Sequence, residues 1–295
     1  MAAVQSGVSS FPLPWQRPSY IYGALLCNSL MADSGLSDRT PLHEAAYQGR
    51  LLHLRSLIAQ GFHVDTLTMD RISPLHEACL GGHYACAKFL LDNGANVHAV
   101  STDGATPLFN SCSSGSAACV RLILQHKASV HTPSLLASPV HEAAKKGHRE
   151  CLELLLSYGA HIDLELPVLG TPLYSACMAQ AMTCVTLLLY SGADVGVGCG
   201  RDTPLHAAAQ CGGAEIVDLL LDFGADGCFK NAEGKTPLDL SLPNSEVRSV
   251  LQKKGPCALS QLCRLCIRRS LGRSRFHRAS SLFLPPIIMD FLLYQ

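Results

Sequence analysis

Three runs of the chain set His beside Glu: HEAAYQG at 43–49, HEACLGGH at 76–83 and HEAAKKGH at 141–148. Such pairs can do acid–base work. With a second His one helical turn on, as in H-E-x-x-H, they hold zinc. Here the second histidines, His83 and His148, come seven residues after the first, so two ligands would not share that turn. The chain also carries 14 cysteines, and Cys263 and Cys266 form a C-x-x-C. A redox or zinc role for that pair needs a βαβ context or a second ligand pair. The tail offers neither, only His277. No G-x-S-x-G, P-loop or dinucleotide fingerprint is present. The expectation is no catalytic residue, no metal site and no cofactor, and the elements that position these runs must supply another meaning.

They recur at a fixed period. A proline stands at Pro41, Pro74, Pro107, Pro139, Pro172, Pro204 and Pro237, at intervals of 33, 33, 32, 33, 32 and 33. Thr or Ser precedes each one, and Leu or Val follows. A hydroxyl before the first helical turn can cap its free N–H groups, and proline is welcome in that turn. Small residues follow, then Gly49, Gly82, Gly115, Gly147 or Gly213, where a short helix should stop. A second, leucine-rich helix ends at Gly61, Gly94, Gly159, Gly192 or Gly224. A polar segment of about 10 residues leads to the next unit. A period near 33 marks units that bury their apolar faces only by stacking.

These marks resemble the ankyrin repeat: the TPLH-A-A start, the leucine-rich second helix and the segments Gly94-Ala95-Asn96-Val97 and Gly192-Ala193-Asp194-Val195. The resemblance covers residues 38–254. It implies an all-α solenoid of about seven repeats of 32–33 residues with hairpin loops, preceded by an irregular extension at 1–37. Such solenoids bind protein partners. Within that frame Cys79, Cys112 and Cys177 stand five residues after the motif proline, where Ala46, Ala144 and Ala209 stand in other units. Cys86, Cys119, Cys151 and Cys184 stand twelve after it, where Ile216 also occurs. Cysteine that alternates with Ala and Ile is a small buried hydrophobe. His43, His76, His141 and His206 are the fourth letter of TPLH, which in the family ties neighbouring units by hydrogen bonds. Phe109, Tyr174 and Asp239 replace it elsewhere.

After residue 254 both period and charge change. Residues 1–247 carry a net charge of −8 and the remainder +8. Leu259, Leu262, Cys263, Cys266 and Ile267 fall at 0, 3, 4, 7 and 8, one apolar face of a short helix. An exposed apolar stripe on so short a helix needs a partner. Leu259-x-x-x-Cys263-x-x-x-Ile267 resembles the elongin-binding helix of a SOCS box, and SSLFLPPIIMDFLLYQ resembles its cullin box. Leu284, Pro285, Pro286 and Ile287 stand for that box's Leu-Pro-x-Pro, with Ile287 in place of the second family proline. Placed after ankyrin repeats, these features resemble the ankyrin repeat and SOCS box family. The resemblance implies a small three-helix SOCS box at 255–295. It also implies a non-catalytic substrate receptor of a cullin–RING ubiquitin ligase. Elongin C with elongin B would bind at the first helix, and cullin-5 with its RING-box protein at the second motif. The competing reading is an ankyrin scaffold without a ligase role.

Leu135, Leu136, Leu164, Leu166, Val168 and Leu169 lie on two neighbouring loop tips, where they either form a contact patch for the client or pack hairpin on hairpin. The basic tail lacks interleaved aromatics, so nucleic acid is not an expected partner. No stretch reaches the roughly 20 apolar residues of a spanning helix. The expectation is an intracellular, soluble, cytoplasmic protein.

Overall fold

The computed structural model describes residues 38–131 and 137–254. Two compact units divide the chain, 1–39 and 40–295. The described residues of the second unit hold seven antiparallel helix pairs. The inner helices are α1 (Pro41–Tyr47), α3 (Pro74–Leu80), α5 (Pro107–Ser114), α7 (Pro139–Lys146), α9 (Pro172–Met178), α11 (Pro204–Cys211) and α13 (Pro237–Leu240). The outer helices are α2 (Leu51–Ala59), α4 (Tyr84–Asp92), α6 (Ala117–Gln125), α8 (Arg149–Ser157), α10 (Met182–Tyr190), α12 (Ala214–Asp222) and α14 (Glu246–Lys254). We number the repeats 1 to 7 by these pairs. The expected all-α ankyrin stack is present.

Each inner helix begins at a motif proline. The residue before it is extended, and Ser73, Thr106, Thr171 and Thr236 accept the N–H three residues on. The capping hydroxyl and the ring-fixed φ of proline together set the start of the helix. Most of the inner helices end on a left-handed glycine, where a Cβ would crowd the next carbonyl. The stop in repeat 6 is Gly212 (φ +82), not the expected Gly213, which instead opens α12 at φ −80. Gln180 holds the same place in repeat 5 at φ +57, and Lys127 ends the outer helix of repeat 3 at φ +62.

Inner helices approach one another more closely than the outer helices do. The reason lies in their facing residues: Ala46, Cys79, Cys112, Ala144, Cys177 and Ala209 are all buried. On the outer helices Leu54, Leu90, Ile123, Leu155, Leu188 and Leu220 fill one continuous core. A fully buried leucine contributes about 2 kcal/mol. Burial pushes the thiols of Cys79, Cys112 and Cys177 up, and those of Cys151 and Cys184 up to about 11. Thiols held neutral in this way pack without reacting.

Candidate interaction surface

Between repeats the chain projects a finger. Fingers 1, 2, 4 and 6 close with a backbone bond across four residues: Thr68 to Ile72, Ser101 to Ala105, Leu166 to Gly170 and Asn231 to Lys235. Finger 5 is one residue shorter. Its N–H and C=O groups pair both ways between Cys199 and Asp202, around Gly200 and Arg201. That shorter turn is the physical meaning of the 32-residue interval from Pro172 to Pro204.

The TPLH histidines lock fingers 1, 2, 4 and 6 to their helices. In repeat 2 the Ser73 N–H donates to His76 Nδ1 at 3.2 Å, and Nε2 lies 3.2 Å from the Ala105 carbonyl of the next finger. Because Nδ1 accepts, the proton sits on Nε2, which donates to that carbonyl. His43, His141 and His206 repeat the arrangement, reaching Ile72, Gly170 and Lys235. Burial pulls His76 and His141 down to about 4. A second proton would meet the donors already aimed at Nδ1. In repeat 7 Asp239 takes the histidine's place. Its carboxylate accepts from the Thr236 N–H and hydroxyl. The family's inter-repeat tie is therefore present at four of the motif positions.

Neighbouring fingers are also joined directly. Asp65 accepts from the Asn96 N–H and Asp163 from the Asp194 N–H, at 2.9 and 3.0 Å. Fingers 4 and 5 meet closely: a Cβ on Gly170 would lie 2.8 Å from Cys199 Cβ and from the Gly198 oxygen. Side chains on this framework are held in register by backbone, which suits a surface that binds a large partner.

The expected apolar patch is corrected in part. Leu166 is only 3% exposed, because it flanks the finger's closing bridge and turns inward. Leu164 and Leu169 are half-buried, while Val168 between them is 69% exposed. Leu135 and Leu136 lie outside the described residues. Apolar tips also appear where no run of leucines signalled them. Leu67 and Met69 are exposed on finger 1 and Phe229 on finger 6, with Thr68 buried between the first two. The two-residue alternation around Thr68 was the available signal. Arg201 sits over the Phe229 ring, 6.0 Å from its centroid.

Among the described residues no group of three or more His, Cys, Asp or Glu side chains could hold a metal ion. No helix there is long and apolar enough to cross a membrane. Leu259, Leu262, Cys263, Cys266 and Ile267, with Leu284, Pro285, Pro286 and Ile287, lie outside the described residues.

Comparison with known proteins reaches both parts of the chain. The model for ankyrin repeats matches residues 20–101, 94–166, 136–199 and 173–257, and the SOCS box model matches 255–293. Ankyrin repeat and SOCS box protein 11 of Danio rerio is 59% identical over 295 residues, all of both chains. The human protein of that name is 62% identical over 260 residues, which is 88% of this chain and 80% of the relative. Ankyrin repeat and SOCS box protein 5 of Mus musculus is 62% identical over 261 residues, 88% and 79% of the two chains. The crystal structure of the human ASB11 ankyrin repeat domain superposes with a TM-score of 0.72 at 56% identity. It covers 75% of this chain and 100% of its own. With the stacked repeats, the histidine ties and a SOCS box match that begins where α14 ends, the chain belongs to the ankyrin repeat and SOCS box family.

Proposed function

We propose that the protein is the non-catalytic substrate receptor of an elongin B/C–cullin-5–RING ubiquitin ligase. The observation that carries this reading is the SOCS box match over 255–293, directly after an array of stacked repeats ending at Lys254. In this division, 38–254 holds a protein client and 255–295 holds the ligase core. Leu259, Leu262, Cys263, Cys266 and Ile267 bury an apolar stripe in a groove of elongin C. Leu284, Pro285, Pro286 and Ile287 meet the cullin. The chain makes no bond itself. It supplies proximity, which removes part of the entropic barrier to transfer of ubiquitin to the client. The client then goes to degradation, and the site of action is the cytoplasm.

Ile287 stands where a second proline is the family habit. Proline there would pre-set the extended backbone and reduce the cost of ordering on binding. The purified complex with elongins B and C should bind cullin-5 with its RING-box protein more tightly than cullin-2. Ile287→Pro should strengthen that binding by about threefold, a fraction of 1.4 kcal/mol. A preference for cullin-2, measured by titration calorimetry, would refute the assignment to cullin-5.

A further inference from the structure

The chain is poor in amines where it would meet its client. It holds eight lysines against fifteen arginines, and no lysine falls in 1–87 or in 147–229. Fingers 1, 2, 4 and 5 therefore lack lysine, and the cations they carry are Arg71 on finger 1 and Arg201 on finger 5, both exposed. Arg71 holds φ +58 where fingers 2 and 6 place Gly104 and Gly234 at φ +82 and +75. A cation is kept there against a backbone cost, and it is arginine. Lys88 lies within the outer helix α4, and Lys127 ends the outer helix α6 at the root of finger 3. Lys145 and Lys146 close the eight-residue inner helix α7 at its end away from the fingers, about 12 Å along its axis. Lys253 and Lys254 close α14. The remaining two, Lys230 and Lys235, stand on finger 6.

Lysine and arginine differ in the one reaction that matters to a ubiquitin receptor. A neutral lysine Nζ attacks the thioester carbonyl that joins the C-terminus of ubiquitin to a cysteine of the conjugating enzyme. The C–N bond forms, the C–S bond breaks, and the amine's surplus proton goes to the departing thiolate. A guanidinium stays protonated and does not attack. Proximity favours whichever amine is in reach, and the fingers lie as near as the client they hold. A lysine on such a finger would compete with the client. On finger 6, Lys235 is hydrogen-bonded to Glu233 at 2.8 Å, which raises its pKa and holds it protonated. Lys230 is exposed and forms no ion pair among the described residues. We propose that fingers 1, 2, 4 and 5 are kept free of acceptor amines so that ubiquitin passes to the client, and that Lys230 on finger 6 is the site at which the receptor itself is modified. This rests on the client-receptor reading and adds the receptor's own modification to it.

The test uses the full chain assembled with elongins B and C and with cullin-5 and its RING-box protein. The complex is given ubiquitin, its activating enzyme, a conjugating enzyme and ATP. Wild type is compared with Lys230→Arg, Arg71→Lys and Arg201→Lys. Discharge of the conjugating enzyme's thioester is followed, and modified positions are read by mass spectrometry after proteolysis. Elongin content and the thermal melt should be the same in all four. Wild type should carry its ubiquitin chiefly at position 230, and K230R should lose at least about threefold of the total. R71K and R201K should each gain ubiquitin at the substituted position. Normal discharge with no ubiquitin at position 71 or 201, or with K230R modified as fully as wild type, would overturn the proposal and leave the receptor reading standing. A complex that leaves the thioester undischarged would overturn the receptor reading and the proposal with it.

Discussion

The buried histidines make a residue-scale prediction about pH. His76 and His141 fall from 6.5 to about 4 in the folded chain, chiefly through loss of hydration. Between those values the unfolded chain binds protons that the folded chain refuses. Stability is therefore full above about pH 6.5 and falls as pH drops toward 4. Each histidine contributes a slope of up to about 1.4 kcal/mol per pH unit. Urea denaturation at pH 7.5 and pH 5 should show a lower midpoint at pH 5. Equal midpoints would mean that these rings are hydrated. Lys127 gives a prediction of opposite sign. It occupies φ +62, where other repeats have glycine. The left-handed conformation costs an ordinary residue roughly 1–2 kcal/mol, and glycine's extra chain entropy returns roughly 0.5–1. Lys127→Gly should stabilise by about 0.5–1 kcal/mol in the same denaturation experiment.

At the scale of the element, fingers 4 and 5 are held by what they lack. Gly170 combines φ +65 with the 2.8 Å approach to Cys199 and Gly198, whereas Gly94 has φ +87 and open space around it. Gly94→Ala should cost about 1 kcal/mol, the backbone penalty alone. Gly170→Ala should cost roughly 2–3 kcal/mol, because finger 5 must also shift. Equal losses in thermal melts would mean that the two fingers do not touch. Such differences bound what the sequence could reveal. Helix starts and stops are legible because a capping hydroxyl, a proline and a left-handed glycine act within a few residues. Even so, the pattern puts the stop of repeat 6 at Gly213, whereas Gly212 is the residue at positive φ. Leu166 misleads for the same local reason: a leucine in a polar loop looks exposed, yet here the Leu166–Gly170 bridge turns it inward. Arg201 over Phe229 joins residues of two fingers, a contact created by stacking that no window of sequence contains.

Across the whole molecule, the two jobs are separated along the chain. The array presents exposed tips on a framework tied by histidine and aspartate, and the C-terminal segment recruits a machine. Val168→Asp adds a charge to an exposed tip, so it should reduce recovery of clients by at least about threefold while elongin capture is unchanged. Quantitative mass spectrometry of the bound proteins would read this, and an identical client profile would remove Val168 from the surface. The most direct test of the central claim is co-purification of elongins B and C with the full chain, wild type against Leu259→Pro with Cys263→Phe. The wild type should hold both elongins in equal proportion. The double variant should lose them while the circular dichroism melt of its repeats stays the same. A wild-type chain that emerges alone with elongins in excess, or a variant that still retains them, would contradict the account.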